Sequence, residues 1–410
     1  MSNFSIALSG LSAASSALDI TSNNIANADT VGFKNSQAEF ADVYASGAVN
    51  LNSATGGEGV RVVTAAQQFN QGTSITEAST PLDMEINGNG FFTLNSPSGT
   101  VYTRNGQFSE DQNGNVVSST GQFLQVYPPT TNGGFNTGAL QNLNLQSAQS
   151  APLASTGANV ILTLPSNATA PAVTPFDPTN PDTYNQSTST TVYDSLGNSY
   201  PATLYFSQGT AAGTWNVNMT VNGTVVGTQQ QLTFSSTGAV TQPPDGNLAF
   251  DGFTPTNGAA PMDLTMNFSQ STEFGTQFGV TSIIQNGYTT GQLSTVSIDP
   301  TGVVSAVYTN GRSTTLGQLA IANFPNPQGL QQLGNTNWAQ TFSSGTVVQG
   351  TAGSAGFGNI SSNSLESSNV DLTTELVNMI TEQRAFQANA QVITTADQMS
   401  QTVIGIATNG

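Results

Sequence analysis

Asp111, Asn113 and Asn115 place oxygen-bearing side chains at every other position, the spacing that opens a calcium-binding loop. The frame then breaks, because the position that must be glycine is Val116 and the closing glutamate position is Gln122. A hairpin turn is the better reading. Glu110 and Asp111 are adjacent carboxylates that could supply a glycosidase pair, a rival reading that the opposite facing of neighbours on a strand argues against. Gly57 with Gly59, and Gly88 with Gly90, begin glycine-rich phosphate loops that reach neither a third glycine nor a Lys-Ser/Thr pair. They read as turns. Asn167-Ala168-Thr169 and Asn218-Met219-Thr220 match glycosylation acceptors, a pattern that a chain rich in Ser, Thr and Asn produces by chance. No catalytic, cofactor-binding or metal-ligating residue is assigned, and no cofactor is expected.

Composition points the same way. The 410 residues contain no cysteine and no histidine, which removes disulfides, thiolate nucleophiles and imidazole acid-base chemistry. The five basic residues are Lys34, Arg61, Arg104, Arg312 and Arg384, so no stripe exists to neutralise phosphates. Nucleic acid and anionic membrane are poor partners on that ground, and no run approaches the roughly 18 apolar residues of a membrane span. A net charge of -18 makes copies repel one another, so any self-association should depend on ionic strength. The N-terminus lacks a basic n-region and an uninterrupted apolar run, which predicts a cytosolic protein or one that leaves without a cleaved signal.

The elements that must carry a function lie at the two ends. In residues 3–29, Phe4, Leu11, Leu18 and Ile25 recur every seven residues, with Ala7 and Ala14 on the same face. In residues 370–407, Leu372, Met379, Phe386 and Ile393 repeat at seven beside Leu376 and Ala390. The stripe then drifts to Ala396, Met399, Val403 and Ile406, as a period of about 3.6 must against one of seven. Either Asn369 or Asp371 caps the start of the second helix. The helices would span roughly 40 Å and roughly 55 Å and can pair with each other.

The interior reads as β. Asn113-Gly114 and Asn222-Gly223 are the pairs that type I′ hairpin turns demand, and Leu196-Gly197-Asn198, Thr301-Gly302 and Asn310-Gly311 add further punctuation. Trp215, Val217, Met219 and Val221 alternate inward. The expected division is a terminal helical domain at 1–45 and 370–410, a Gly/Ser/Asn-rich linker at 46–70, an inner β domain at 71–145 and 285–369, and an inserted outer β domain at 146–284. The last has seven acidic residues and no basic one.

The run from Leu8 to Phe40, with its core Ser22-Asn23-Asn24-Ile25-Ala26-Asn27 and the following Gly32-Phe33-Lys34, resembles the N-terminal signature of the bacterial flagellar rod and hook proteins. Leu365 to Met399 resembles the matching C-terminal signature, and Thr80 to Phe92 and Tyr102 to Phe108 resemble the family's inner β body. Thr191 to Asn198, the insertion, and Gln285 to Tyr288 resemble the hook members more than the shorter distal rod members. Glu85 departs from the pattern, standing where a small residue is more usual. The resemblance implies a non-enzymatic subunit exported by the type III apparatus and polymerised beneath a cap into a flexible hollow tube that passes torque from rod to filament. Rod, hook-cap and hook-filament junction proteins are the implied partners, at an extracellular location. The assembly interface would comprise Phe4, Leu11, Leu18, Ile25, Leu372, Leu376, Met379, Phe386, Ile393, Met399, Val403 and Ile406, to which the signature adds Asn24 and Asn27. A secreted β-rich adhesin or carbohydrate-binding protein is the rival from another class, and it leaves the terminal stripes unexplained.

Overall fold

The computed structural model describes residues 2–43, 57–76, 78, 80–145 and 149–408. Residues 46–56 of the expected linker lie outside these. The protein is mainly β, with helix α1 at Ser2–Ala26 and helix α2 at Leu372–Thr408. It forms two units, Met1–Ser147 with Thr295–Ala306 and Thr314–Gly410, and Ala148–Ser294 with Val307–Ser313.

The first unit combines the helices with a β body. Its sheet runs through Phe123–Tyr127, Phe91–Ser96, Gly99–Thr103, Asn337–Ala339 and Gln331–Gly334, extended on the other side by Ser313–Asn323. Phe91, Tyr102, Ala322, Phe324 and Trp338 fill one core cluster, with Phe69 packed edge-on to both Phe91 and Trp338. The buried indole N–H of Trp338 donates to Gln67 Oε1 at 2.6 Å, which satisfies that donor inside the core. A separate hairpin, Ser36–Asp42 paired with Val60–Gln67, lies beside α1.

In the second unit two five-stranded sheets enclose a core. Gln186–Tyr193, Ser199–Gln208, Thr214–Val221, Thr224–Phe234 and Val240–Gln242 form an antiparallel meander. The other sheet centres on Gly157–Pro165, parallel to Met262–Asn267 and Thr272–Phe274 and antiparallel to Gly279–Gln285. Trp215, Val217, Met219 and Val221 are fully buried against Val160, Leu162, Phe250 and Phe268. Trp215 also donates from Nε1 to Glu273 Oε1 at 2.9 Å, tying one sheet to the other.

Of the two Asn-Gly pairs expected as type I′ turns, one differs, and it shares its form with the turns at Gly197 and Gly302. At Asp111, Asp194 and Asp299 the backbone N–H bonds to the carbonyl four residues on, and the following Gly114, Gly197 or Gly302 N–H returns to the aspartate carbonyl. Only the glycine takes a left-handed φ, at 76°, 85° and 79°. This is a type I turn with a glycine bulge, so Asn113-Gly114 is not a type I′ pair. Each aspartate also accepts the N–H groups two and four residues ahead, as Asp111 Oδ1 does from Asn113 and Asn115, both at 2.8 Å. The side chains that mimicked a calcium loop are occupied in holding a hairpin. Both central residues are left-handed at Asn222-Gly223, with φ of 51° and 79°, and at Asn335-Thr336, with 52° and 56°.

Candidate assembly surface and helix junction

α1 and α2 run antiparallel, with Phe33 beyond the end of α1 accepting from the Asn369 N–H just before α2, and Gly10 lying against Asn389 further along. Asp371 caps α2, accepting the Thr374 N–H at 3.0 Å. The seam on α1 is made of small groups. Ala7, Ala14 and Thr21 on one heptad line and Gly10 and Ala17 on the other face inward, all buried except the half-exposed Gly10, while Asn24, also buried, is engaged with the hairpin. Small seam residues let the helix axes come close.

The large residues expected to fill this seam flank it. Leu11, Leu18 and Ile25 are half-buried and Phe4 is exposed. On α2, the buried Glu375 and the half-buried Met379, Glu382, Phe386, Asn389, Ile393 and Ala396 alternate at threes and fours and form the packed face. Leu372 and Leu376 are exposed, as are Val377 and Ile380, which the heptad reading did not single out. Met399 is 58 % exposed and Val403 66 %. Ile406 belongs to α2, but its side chain lies outside the described residues. α1 is thus held between two neighbours, α2 and the hairpin, where Ser9 Oγ accepts the Val60 N–H at 3.2 Å. Among the described residues α2 packs extensively only on α1. By length and mean hydropathy α1 would suffice to cross a membrane, although four serines interrupt it between positions 9 and 16 and its small-residue face is already packed.

Asn24 and Asn27 shape the end of α1. The Asn24 amide donates to Ser36 O at 2.8 Å and accepts the Ser36 N–H at 2.9 Å, imitating a strand partner. Asn27 donates to Asn23 O and accepts from Thr30 Oγ1.

Just beyond them lies a buried charged junction that sequence reasoning missed. Lys34, Arg104, Glu85 and Glu366 are all at least 95 % buried. Lys34 Nζ donates to Glu366 Oε1 at 2.5 Å and to Asn70 O at 2.7 Å, and the Gly72 N–H joins the same carboxylate oxygen. Arg104 Nε stands 2.8 Å from Glu366 Oε2, while its Nη1 donates to the carbonyls of Gly88 and Gly90. The Nε contact is a charge contact without a directed hydrogen bond, which leaves Oε2 with no other partner. Glu85 accepts from Gln71, Ser74 and Ser364. Burial pushes the Lys34 ammonium below the ordinary lysine value, with Glu366 opposing that shift and Arg104 adding to it. The one legible signal was scarcity, since two of the five basic residues meet here. Both carboxylates are enclosed and engaged, an arrangement suited to holding segments together and closed to a substrate.

The site is thus a pair of terminal helices with an open apolar face, rooted in a β body, in a chain that also holds an inserted β unit. Residues 4–34 match the family described as flagella basal body rod protein, and 361–406 the flagellar basal body rod FlgEFG protein C-terminal family. Residues 85–174 match the flagellar hook protein FlgE/F/G D1 domain and 163–288 the flagellar basal body protein FlaE D2 domain. The chain is 39% identical to the flagellar hook protein FlgE of Escherichia coli over 98% of this chain and 99% of that one. It is 38% identical to that of Salmonella typhimurium over 98% and 100%, and 30% identical to that of Brucella suis over 97% of each. The chain belongs to the flagellar hook protein family and is a structural subunit of the hook. The crystal structure of Helicobacter pylori flagellar hook protein FlgE2 shares the fold, with a TM-score of 0.51 at 14% identity, covering 69% of this chain and 98% of that one.

Proposed function

We propose that the subunit polymerises through α1 and α2 into a flexible hollow tube, reaches the cell exterior through the type III export apparatus without a cleaved signal, and couples rod to filament in transmitting torque. Rod, hook-cap and hook-filament junction proteins are its partners in this reading. The terminal helices act as polymerisation elements, 71–145 and 285–369 as an inner β domain, and 146–284 as an outer one. The observation that carries the reading is the row of exposed apolar side chains on α2 that its pairing with α1 leaves uncovered, among them Leu376, Val377, Ile380, Met399 and Val403. Fully burying one such side chain contributes about 1.5 to 3 kcal/mol, and roughly half of that remains to be gained where it is already half covered. Repeated along a polymer, a few such contacts per subunit suffice against charge repulsion that salt screens.

Purified chain brought to raised salt should form tubes visible by electron microscopy. Val403→Asp should prevent them while leaving thermal unfolding of the β body unchanged. Normal tubes from that variant would remove α2 from the contact.

A further inference from the structure

We propose that Lys34, Arg104, Glu366 and Glu85 form a charge-balanced clasp that sets the direction in which α1 and α2 leave the β body, and through it the lattice the subunits adopt. The proposal rests on the assembly role argued above for the helices and identifies the residues that aim them.

The clasp joins the segments that enter and leave the helices. Lys34 follows α1 by a short turn in which Gly32 donates to Glu366 O at 2.8 Å, and Glu366 precedes α2. Gly32 has φ 68°, and a Cβ there would stand 2.6 Å from the Asn105 nitrogen, so the turn sits directly on the backbone beside Arg104. Asn369 adds a second layer, accepting the Asn35 N–H at 2.8 Å and donating to Gln68 O at 2.7 Å. Gln71 extends the network to Glu85 at 2.8 Å and, through its Oε1, to the Gly88 N–H at 3.0 Å. The helix roots therefore share one carboxylate, Glu366, with a cation from each side.

The physics favours a positioning role over a stabilising one. A buried ion network gains little stability over well-packed apolar residues, because desolvation offsets its Coulomb energy, but it has strict geometric demands. Glu366 meets both cations, and Glu85, held by Gln71, Ser74 and Ser364 beside them, completes the charge balance. Lys34 experiences Glu85 as well as Glu366, so the balance involves all four groups. Removing one charge leaves an excess that must be met by a proton or by water, and a shifted helix root admits water.

The test uses the full chain with Lys34→Met, Glu85→Gln and the double variant. Each single change unbalances the clasp and the double restores neutrality around the retained Arg104–Glu366 contact. The readouts are helical twist and rise of tubes by electron cryo-microscopy, elongation rate, and amide exchange in the Trp338 strand as a measure of body folding. Each single variant is expected to give tubes of scattered twist or elongation slowed about tenfold, with the double returning toward the parent values, as coupled neighbours do. Should Lys34→Met fail to fold, Glu85→Gln against the double reads the same coupling. Singles with unchanged twist and rate, or a folded double no better than Glu85→Gln, would overturn the proposal. Failure of the assembly reading itself is distinct, since it appears as normal tubes from Val403→Asp with the clasp intact.

Discussion

Gly10 of α1 lies close against Asn389 of α2: a Cβ on Gly10 would stand 2.8 Å from Asn389 Oδ1, so a side chain fits there only if that amide turns away. The contact is possible because the α1 seam is built from alanine, glycine and threonine, and it fixes the register of the antiparallel pair.

Substitution at this point separates size from helix propensity. Gly10→Ala gains about 1 kcal/mol of propensity and loses a similar amount if Asn389 must give up its bond to Ala385 O, so it should be nearly neutral. Gly10→Leu cannot be absorbed by one amide rotation and should wedge the helices apart. Helix content by circular dichroism, measured for both variants as monomers and as tubes, checks this. Equal behaviour of the two variants would show that the close approach is not needed.

Asp194 lies buried in the turn Asp194 to Asn198. Burial opposes its ionisation, but donors from Asn257, Asn198 and Leu196 outweigh that and hold its pKa down to about 2. A carboxylate depressed below its unfolded value contributes stability that is fully present above the unfolded pKa and is lost as pH falls through the folded one. The second unit should therefore lose about 2 kcal/mol between about pH 4 and pH 2. Hydrogen exchange of strand Thr214–Val221 across that range would detect it. Asp194→Asn should remove most of this acid dependence and lower stability at neutral pH, whereas an unchanged acid profile would assign the effect elsewhere.

The left-handed Thr336 is costly by the same kind of local reasoning. A β-branched residue at φ 56° is held there by its hairpin and by Thr103 Oγ1, which donates to Thr336 O at 2.7 Å. The conformation costs roughly 1 to 2 kcal/mol that glycine would not incur. Thr336→Gly keeps the carbonyl, and relief of the strain should roughly offset the lost buried methyl and the greater freedom of glycine in the unfolded chain, leaving thermal stability of the first unit within about 1 kcal/mol of the parent. A variant destabilised by more than this would mean that Thr336 packing outweighs its backbone strain.

These turns also show what was legible in the sequence. Asn222-Gly223 announced a type I′ hairpin because both residues tolerate a left-handed backbone. Asn335-Thr336 adopts the same geometry through a residue that disfavours it, so pairing of its flanking strands decided the outcome and propensity gave no warning. Asn113-Gly114 misled because Asp111, two residues earlier, selects a wider turn by accepting two backbone N–H groups. On the helices the seven-residue period was visible, while the large residues drew attention from the alanines that form the seam. The clasp was hidden because Lys34, Arg104 and Glu366 are distant in sequence, and only the fold brings them together.

The C-terminal turns of α2 should behave differently from the rest of the helix. The antiparallel register that sets Gly10 against Asn389 brings the start of α1 level with the region of Ala396, so the last turns of α2 extend past their partner. Met399 and Val403 stand there at 58 % and 66 % exposure. A helix end whose large side chains stand exposed is marginal in water, since nucleation is unfavourable and most helical stability in proteins comes from packing. In the isolated subunit, amides beyond Ala396 should exchange nearly as fast as in an unfolded chain, while those from Met379 to Ile393 should be slowed by their pairing with α1. Assembly should then protect the whole of α2, because neighbouring copies cover the exposed side chains. Hydrogen-exchange mass spectrometry on monomer and tube makes the comparison. Protection beyond Ala396 already complete in the monomer would show that this end is ordered without a neighbour, and protection absent in the tube would exclude it from the subunit contacts.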